Sequence, residues 1–245
     1  MQDLISIIVP AYNEEGGIRR TVERVKKVKF GEKSEIIVVD DGSSDRTYEN
    51  AKKIKGIRIL KHRVNKGKAA ALRTGFSAAK GDAVATIDAD CTYPPEQLPK
   101  MLKLIRSEKA DVVLGSRFYH KKRGVSIIFG AGKKVLSAIA GAKSDDYTNF
   151  YGNALFSSLI TVLTGRPITD GSTGLRVFRK KILDGMRIKS RGLDWEVEMT
   201  TRSLTAGLNV VEIPINYYPR VGRTKLKILK DGLGFLVGIV RGRFF

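Results

Sequence analysis

The amino-acid sequence predicts an α/β fold with a mostly parallel, doubly wound sheet. Short apolar runs alternate with helical patterns from Leu4 to Leu114, as in repeated βαβ units. The runs are nearly continuous stretches of Ile, Val and Ala, which is typical of strands covered on both faces. With 245 residues and 42% hydrophobic content, the chain is long enough to bury one sizeable core.

The predicted strands of the first half are bounded by turn residues. The first, Leu4–Val9, is stopped by Pro10, and the fifth, Asp111–Leu114, is stopped by Gly115. The three strands between them are predicted at Glu35–Val39, Ile57–Leu60 and Ala83–Ile87.

The helices between these strands are predicted on different grounds. Apolar residues at helical spacing indicate a helix over Glu14–Lys27, and a high alanine content indicates one over Lys68–Ala79. Asp45 is a candidate N-cap for a helix that ends near Lys55. Pro95 suits the first turn of a helix that extends to about Ser107.

The second half of the chain has a different pattern. The apolar segments Val125–Phe129 and Phe150–Leu163 are separated by lysines. They predict either two short amphipathic helices on a membrane surface or a buried helical hairpin. A strand at Leu175–Phe178, a helix at Asp194–Thr205 and a strand at Val210–Ile215 follow.

The charge of the chain predicts anionic partners. Lys and Arg total 45 against 25 Asp and Glu, which gives a net charge of +20. Such an excess favours nucleic acid, anionic lipid or phosphorylated substrates. No window reaches the ~20 apolar residues that cross a bilayer, no signal peptide is recognised, and the lone Cys91 excludes an intramolecular disulfide.

Two acidic motifs contrast with this basic background. Asp40–Asp45 (DDGSSD) and Asp88–Asp90 (DAD) each follow a predicted strand, at the edge where open α/β sheets bind ligands. Strand alternation would point Asp88 and Asp90 to the same side, where both could bind one Mg²⁺ or Mn²⁺. The turn Asn65–Lys68 (NKGK) precedes a helix, and its backbone N–H groups could face an anion. The motifs together suggest a metal-bound diphosphate, and therefore a nucleotide-sugar.

The chain resembles glycosyltransferase family 2 in five motifs that follow the family's order. They are Pro10–Glu14 (PAYNE), Asp40–Asp45, Asn65–Lys68, Asp88–Asp90 and Gly115–Arg117 (GSR). The later Asp170–Arg176 (DGSTGLR) and Tyr217–Lys225 look like the dolichyl-phosphate sugar synthase branch. The resemblance implies a GT-A fold and an enzyme that transfers a hexose from a UDP- or GDP-sugar to a polyprenyl (dolichyl) phosphate, with inversion. It also implies a Mg²⁺ or Mn²⁺ cofactor.

The resemblance also implies a role for each matching residue. Asp40 is placed against the base, Asp88 and Asp90 at the metal, and Arg117 on the lipid phosphate. Thr92 stands where the branch commonly has Gln as an added metal contact. The candidate sets are catalytic Asp90, Arg117 and Asp170; nucleotide-sugar-binding Pro10, Tyr12, Asn13, Glu14, Asp40, Asp41, Ser43, Lys68, Asp88 and Ala89; phosphate-binding Arg117, Lys133, Arg220, Arg223 and Lys225; and sugar-binding Asp194 and Glu196.

These roles predict a GT-A domain over residues 1–220, with interfacial helices and the acceptor region at about 125–165. Residues 221–245 are predicted to be a basic amphipathic segment. This segment has three interpretations: contact with a membrane surface, docking onto the protein's own core, or a contact between copies in a homo-oligomer. We expect a peripheral protein on the cytoplasmic face of the membrane.

Two other functions remain as alternatives. A sugar or protein hydroxyl acceptor would need a general base, which Asp170, Asp194 or Glu196 could supply. A nucleic-acid-binding protein fits the basic charge, but the acidic motifs would repel a phosphate backbone, so we expect no nucleic-acid partner. A phosphate acceptor needs no base because its second pKa is ~6. His62 and His120, outside every motif, are expected at the surface.

Overall fold

The computed structural model describes residues 3–119, 145–186, 188–222, 224 and 228–245. The predicted segment Val125–Phe129 lies outside these residues. Within them, seven strands form one sheet: β1 (Leu4–Ala11), β2 (Lys33–Asp40), β3 (Arg58–Lys61), β4 (Ala83–Thr86), β5 (Val112–Ser116), β6 (Arg176–Arg179) and β7 (Val210–Pro214).

The strand order across the sheet is β3-β2-β1-β4-β6-β5-β7. The neighbours β1, β2, β3 and β4 are parallel, and β5 is parallel to β7. Strand β6 is antiparallel to both β4 and β5, between which it lies. The prediction of a mostly parallel sheet is therefore confirmed, and β6 joins its two parallel halves.

The helices of the described residues cover both faces of the sheet. They are α1 (Ile18–Lys26), α2 (Thr47–Lys52), α3 (Lys68–Ala78), α4 (Leu98–Arg106), α5 (Asp145–Thr164), α6 (Lys180–Gly185), α7 (Trp195–Thr205) and α8 (Ile228–Phe244), with a 3₁₀ turn at Pro95–Gln97.

The predicted start of the first helix at Glu14 is wrong, because α1 begins at Ile18. The carbonyl of Glu14 instead accepts hydrogen bonds from the N–H groups of Gly17 and Ile18, and Asn13 has a φ of 51°. Residues 13–17 therefore form a tight turn that holds the PAYNE motif at the edge of the sheet.

The core has two layers, as expected for a doubly wound sheet. On one face, Ile7 and Val9 of β1 pack with α1, α2 and α4. On the other face, Ile8 packs with α3 and with Trp195 of α7. A Cβ at Gly75 would lie 2.3 Å from Cγ2 of Ile8, so α3 can approach the sheet only with glycine at this position.

The C-terminal helix α8 packs on α7 through a row of glycines spaced four residues apart, Gly234, Gly238 and Gly242. A Cβ at Gly238 would lie 2.9 Å from the Asp194 carbonyl oxygen, and one at Gly242 would lie 2.7 Å from the Glu198 carbonyl oxygen. The glycines therefore allow the two helix backbones to come into close contact.

The opposite face of α8 is apolar and exposed to solvent. At helical spacing it presents five side chains, which we call the apolar stripe: Leu233, Leu236, Val237, Val240 and Phe244. One face of α8 is thus docked onto the protein's own core, while the other is exposed. Among the described residues, no helix combines the length and the hydropathy that crossing a bilayer requires.

Candidate active site

A cavity of about 610 Å³ opens at the carboxyl edge of β1, β2 and β4, a volume within the usual range for ligand sites. The start of α3, the turn before α7, the segment that follows β7 and Asp231 of α8 complete its wall. The structure brings together here many of the predicted nucleotide-sugar and phosphate residues, namely Pro10, Tyr12, Glu14, Asp41, Lys68, Asp88, Ala89, Asp90 and Arg220.

Asp88 and Asp90 both lie in the cavity wall, but not for the reason predicted. Strand alternation cannot align them, because β4 ends at Thr86 and the two residues belong to the turn that follows. Cys91, with a φ of 68°, continues this turn. A Cβ at Gly17 would lie 2.5 Å from the carbonyl oxygen of Ala89, so glycine lets the turn pack against the start of α1.

The carboxylate of Asp90 is fixed on both oxygens. Oδ1 accepts a 2.6 Å hydrogen bond from the hydroxyl of Thr92, and Oδ2 lies 2.6 Å from Nη1 of Arg220. Arg220 also forms an ion pair with Glu14. Thr92 is fully buried and donates to Asp90, so it orients this carboxylate.

Lys68 links Asp88 to Glu196. Its Nζ lies 2.5 Å from Oδ1 of Asp88 and 2.6 Å from Oε1 of Glu196. Burial opposes the charged form, but the two carboxylates outweigh it and raise the pKa of Lys68. Lys68 therefore places a permanent positive charge in the cavity wall.

Glu196 lies behind Lys68 and is buried. Burial raises its pKa, although Lys68 opposes this shift. Its Oε2 is buried and has no hydrogen-bond partner among the residues that the structure describes. Glu196 does not line the cavity, so in this structure it supports Lys68 from behind the wall and does not face a sugar.

The two aspartates at the end of β2, Asp40 and Asp41, have different surroundings. Asp41 lines the cavity, whereas Asp40, predicted to contact the base, does not. Asp40 is fully buried, and neither of its oxygens has a hydrogen-bond partner within the described part of the chain. Of the two, Asp41 is the one in position to meet a ligand in this cavity.

The turn Asn65–Gly67 donates to Asp41, so the carboxylate occupies two of the backbone N–H groups that were predicted to face a bound anion. Lys66 N–H and Gly67 N–H bond to the carboxylate at 3.0 and 2.8 Å, and Nδ2 of Asn65 bonds to it at 3.0 Å. Gly67 has a φ of +90°, and a Cβ there would lie 2.2 Å from the carbonyl oxygen of Arg191. Only glycine fits between these two walls of the cavity.

The expectation that His62 lies at the surface is also wrong. Only 9% of the residue is exposed, because the ring packs between Asp41 and α3. Sequence position alone gave no sign of this, since His62 follows a short strand and precedes a polar loop.

Asn13 and Ser43 join the two loops above the cavity but do not line it. The N–H of Asn13 donates to Oγ of Ser43 at 2.9 Å, and Oδ1 of Asn13 accepts from the N–H of Ser44 at 2.9 Å. Their role in this structure is to hold the PAYNE turn against the DDGSSD turn.

Arg117 and Asp170, both predicted to be catalytic, form a two-point ion pair. Nε and Nη2 of Arg117 lie 2.7 and 2.8 Å from the two oxygens of Asp170. Burial disfavours the charge on Arg117, but Asp170 outweighs it and raises the arginine pKa. The ring of Tyr217 lies 5.3 Å from the guanidinium. This cluster lies outside the wall of the 610 Å³ cavity.

Gly174 connects the Arg117 cluster to the metal motif. Its N–H donates to the hydroxyl of Tyr93 at 2.8 Å, and its carbonyl accepts from Thr86 at 2.9 Å. A Cβ at this position would lie 2.5 Å from Oδ2 of Asp88. The loop that carries Asp170 therefore lies directly against Asp88.

Asp194, predicted to bind sugar, accepts a hydrogen bond from the loop before α7. Glu198, which the sequence did not indicate as a site residue, also holds this loop. Asp194 accepts the N–H of Gly192 at 3.0 Å, and buried Glu198 accepts those of Lys189 and Ser190 at 3.0 and 2.9 Å. Gly192 and Leu193 of this loop line the cavity. The spacing of Asp194 and Glu198, one helical turn apart, was the available signal.

Three predicted phosphate-binding residues, Lys133, Arg223 and Lys225, lie outside the described residues.

Among the described residues, no cluster of three or more His, Cys, Asp or Glu side chains is arranged to hold a metal. Asp88 and Asp90 nevertheless supply two hard carboxylate ligands on one cavity wall. Mg²⁺ is commonly held by one or two carboxylates with water and substrate phosphates, so these residues fit Mg²⁺ or Mn²⁺.

Comparison with known proteins identifies the family. Residues 6–187 match the family described as Glycosyl transferase family 2. The chain is 33% identical over 233 residues to the low-salt glycan biosynthesis hexosyltransferase Agl6 of Haloferax volcanii, a match that covers 93% of this chain and 51% of that protein. It is 31% identical over 240 residues to the dolichyl-phosphate hexose transferase of the same organism, covering 98% of this chain and 93% of that one.

The fold is that of a solved glycosyltransferase. Glucosyl-3-phosphoglycerate synthase of Mycobacterium tuberculosis, crystallised with Mn²⁺, UDP and phosphoglyceric acid, superposes with a TM-score of 0.70 at 19% identity. The superposition covers 99% of this chain and 79% of that chain. The resemblance found in the motifs is thus confirmed, and the chain belongs to glycosyl transferase family 2, has the GT-A fold and is a glycosyltransferase.

Proposed function

We propose that this glycosyltransferase transfers a hexose from a UDP- or GDP-sugar to a dolichyl or other polyprenyl phosphate, with inversion, using Mg²⁺ or Mn²⁺ held by Asp88 and Asp90. The observation that carries the proposal is the composition of one cavity wall. Two carboxylates and two cations, Lys68 and Arg220, meet there within ion-pair distance. This is the set of charges that a metal-bound diphosphate requires.

The donor fits the cavity by charge and by hydrogen bonding. Asp41 and Tyr12 line the end of the cavity at β1 and β2, where we place the base and ribose. Lys68 and Arg220 are placed to bind diphosphate oxygens. Glu196 holds Lys68 in place from behind the cavity wall. A bound Mg²⁺ or Mn²⁺ would neutralise the diphosphate and the departing nucleoside diphosphate.

The acceptor phosphate is assigned to the cluster around Arg117. Asp170 holds the guanidinium in a fixed plane, and Tyr217, half exposed, packs over it. The nearby Gly174 places this cluster next to Asp88. A phosphate monoester is largely a dianion at neutral pH, so the residues need only align its oxygen with the anomeric carbon and hold the two anions together.

The relatives support a lipid-phosphate acceptor. One of them is a dolichyl-phosphate hexose transferase by name and matches nearly the full length of this chain. Agl6 is a hexosyltransferase by name, and this chain spans only about half of it. A lipid acceptor places the enzyme at a membrane surface, which we propose to be the cytoplasmic face because nucleotide-sugars are the donors.

The apolar stripe of α8 is the surface that we propose for membrane contact. Leu233, Leu236, Val237, Val240 and Phe244 are each at least 39% exposed. Arg241 and Arg243 lie in the last turn of the same helix. A helix with an exposed apolar face and nearby cations binds an anionic bilayer in two ways: the apolar face is buried in the interface, and the cations are attracted to the headgroups.

A transfer assay with the full chain tests the proposed reaction. We expect UDP- or GDP-hexose with Mg²⁺ or Mn²⁺ to label polyprenyl phosphate in vesicles, and EDTA to stop the reaction. Polyprenol, which has a hydroxyl in place of the phosphate, is the matched control and should accept no label. Transfer to soluble sugars or peptides, but not to the lipid phosphate, would favour the hydroxyl-acceptor alternative.

Vesicle sedimentation tests the membrane surface. Replacing Leu236 and Val240 together by Ser is expected to reduce binding to anionic vesicles by about tenfold or more, since each burial contributes ~1 kcal/mol or more. Val64→Ser, which alters an exposed valine in a loop far from α8 along the chain, should leave vesicle binding unchanged. Equal sedimentation of the double variant and the parent would show that the stripe does not contact lipid.

A further inference from the structure

The structure holds a buried histidine that the proposed reaction does not use. Nδ1 of His62 lies 2.6 Å from Oδ1 of Asp41, and Nε2 lies 2.9 Å from Oγ1 of Thr74 on α3. The backbone N–H of His62 donates to the Asp40 carbonyl at 2.9 Å. Both ring nitrogens and the main chain are therefore held in place.

The surroundings of Asp41 decide which ring nitrogen of His62 carries a proton. The other partners of the carboxylate, Asn65, Lys66 and Gly67, are all N–H donors. Asp41 therefore acts as an acceptor, and Nδ1 of His62 must donate to it. Thr74 then meets Nε2, so the ring spans the distance between Asp41 and α3.

We infer that His62 is a positioning residue for nucleotide binding, and that it acts by fixing the carboxylate of Asp41. This inference rests on the proposed function, in which Asp41 lies where the base and ribose bind. The same carboxylate orders the turn Asn65–Gly67, which leads directly into Lys68. An Asp41 side chain that rotates would release the turn Asn65–Gly67, which lines the cavity, and would misplace the start of α3.

Two substitutions distinguish the effects of the two hydrogen bonds made by the His62 ring. In His62→Asn, the side-chain N–H₂ stands at the same number of bonds from Cβ as Nδ1, so the bond to Asp41 can be kept while that to Thr74 is lost. In His62→Gln, the N–H₂ stands at the position of Nε2, so the reverse holds. Thr74→Val removes the Thr74 hydroxyl without touching Asp41.

The experiment measures UDP and GDP affinity with Mn²⁺ by calorimetry, together with KM and kcat for the donor and the melting temperature. We expect His62→Gln and His62→Ala to weaken nucleotide binding and raise the donor KM by about five- to tenfold, with kcat within about twofold, because one charge-assisted hydrogen bond is lost. His62→Asn and Thr74→Val should stay within about twofold of the parent.

Each other outcome has a definite meaning. If the Asn and Gln variants bind nucleotide equally well, or if melting temperatures fall while donor KM and affinity stay constant, His62 only fills space and the inference is overturned. If the parent protein binds neither UDP nor GDP, the proposed function itself is contradicted. If the parent binds nucleotide and His62→Gln binds it equally well, the role of His62 is contradicted but the proposed function stands.

Discussion

Asp90→Asn is expected to lower the rate of sugar transfer by about 10³-fold, which corresponds to ~4 kcal/mol of transition-state stabilisation. Asn keeps the size of the side chain and can still accept from Thr92, but it removes the charge that faces Arg220 and a metal ion. Arg220 keeps its ion pair with Glu14, so the fold should survive. Initial rates with labelled donor measure the loss, and Mn²⁺ binding followed by electron paramagnetic resonance should weaken in parallel.

The matched control is Asp184→Asn on α6, an exposed aspartate outside the cavity wall. It changes the net charge by the same amount and should retain full activity. Unchanged Mn²⁺ affinity in Asp90→Asn would remove Asp90 from the metal site, whatever the effect on rate.

Gly242→Val is expected to destabilise the fold by about 2 kcal/mol or more, or to detach α8 from α7, through overpacking. A Cβ at this position would meet the Glu198 carbonyl oxygen and Cβ of Thr201, both at 2.7 Å, and neither atom belongs to a flexible side-chain end. Glu198 fastens the loop that carries Gly192 and Leu193, so nucleotide affinity should fall as well. Chemical denaturation and calorimetry measure the two effects.

Gly232→Ala in the same helix is the matched control for helix propensity. A Cβ at Gly232 has no atom within 4 Å, so alanine should leave the packing intact and stabilise the helix slightly. If Gly242→Val were as stable as the parent, the close packing of α8 on α7 would not exist in solution.

The sequence predicted most of the sheet because its strands are buried on both faces. Runs such as Ile36–Val39 and Val112–Leu114 have no polar alternation, and their ends carry Pro, Gly or Asp. The start of α1 was misplaced because Glu14 and Glu15 suit a first helical turn as well as the tight turn they form. Asn13, which has a positive φ, was the available signal, because asparagine adopts this conformation more readily than most residues.

The cavity was predictable where the chemistry is carried by short acidic motifs. Asp88, Asp90 and Asp41 follow strands, and parallel strands bring their carboxyl ends to one edge. Partners distant in sequence were not predictable: Arg220 reaches Asp90 across 130 positions, and Lys68 reaches Glu196 from another helix. The glycine row of α8 has a spacing of four residues, but the apolar residues between the glycines give the segment the pattern of an amphipathic surface helix.

Gly174 lies where the loop that carries Asp170 meets Asp88. Its backbone is bonded on one side to Tyr93 and on the other to Thr86, and its missing side chain leaves room for the carboxylate of Asp88. Any displacement of the loop that carries Asp170 is therefore transmitted to Asp88 through a single α-carbon. We expect this close approach to last only while position 174 carries no side chain, since a Cβ there would lie 2.5 Å from Oδ2 of Asp88.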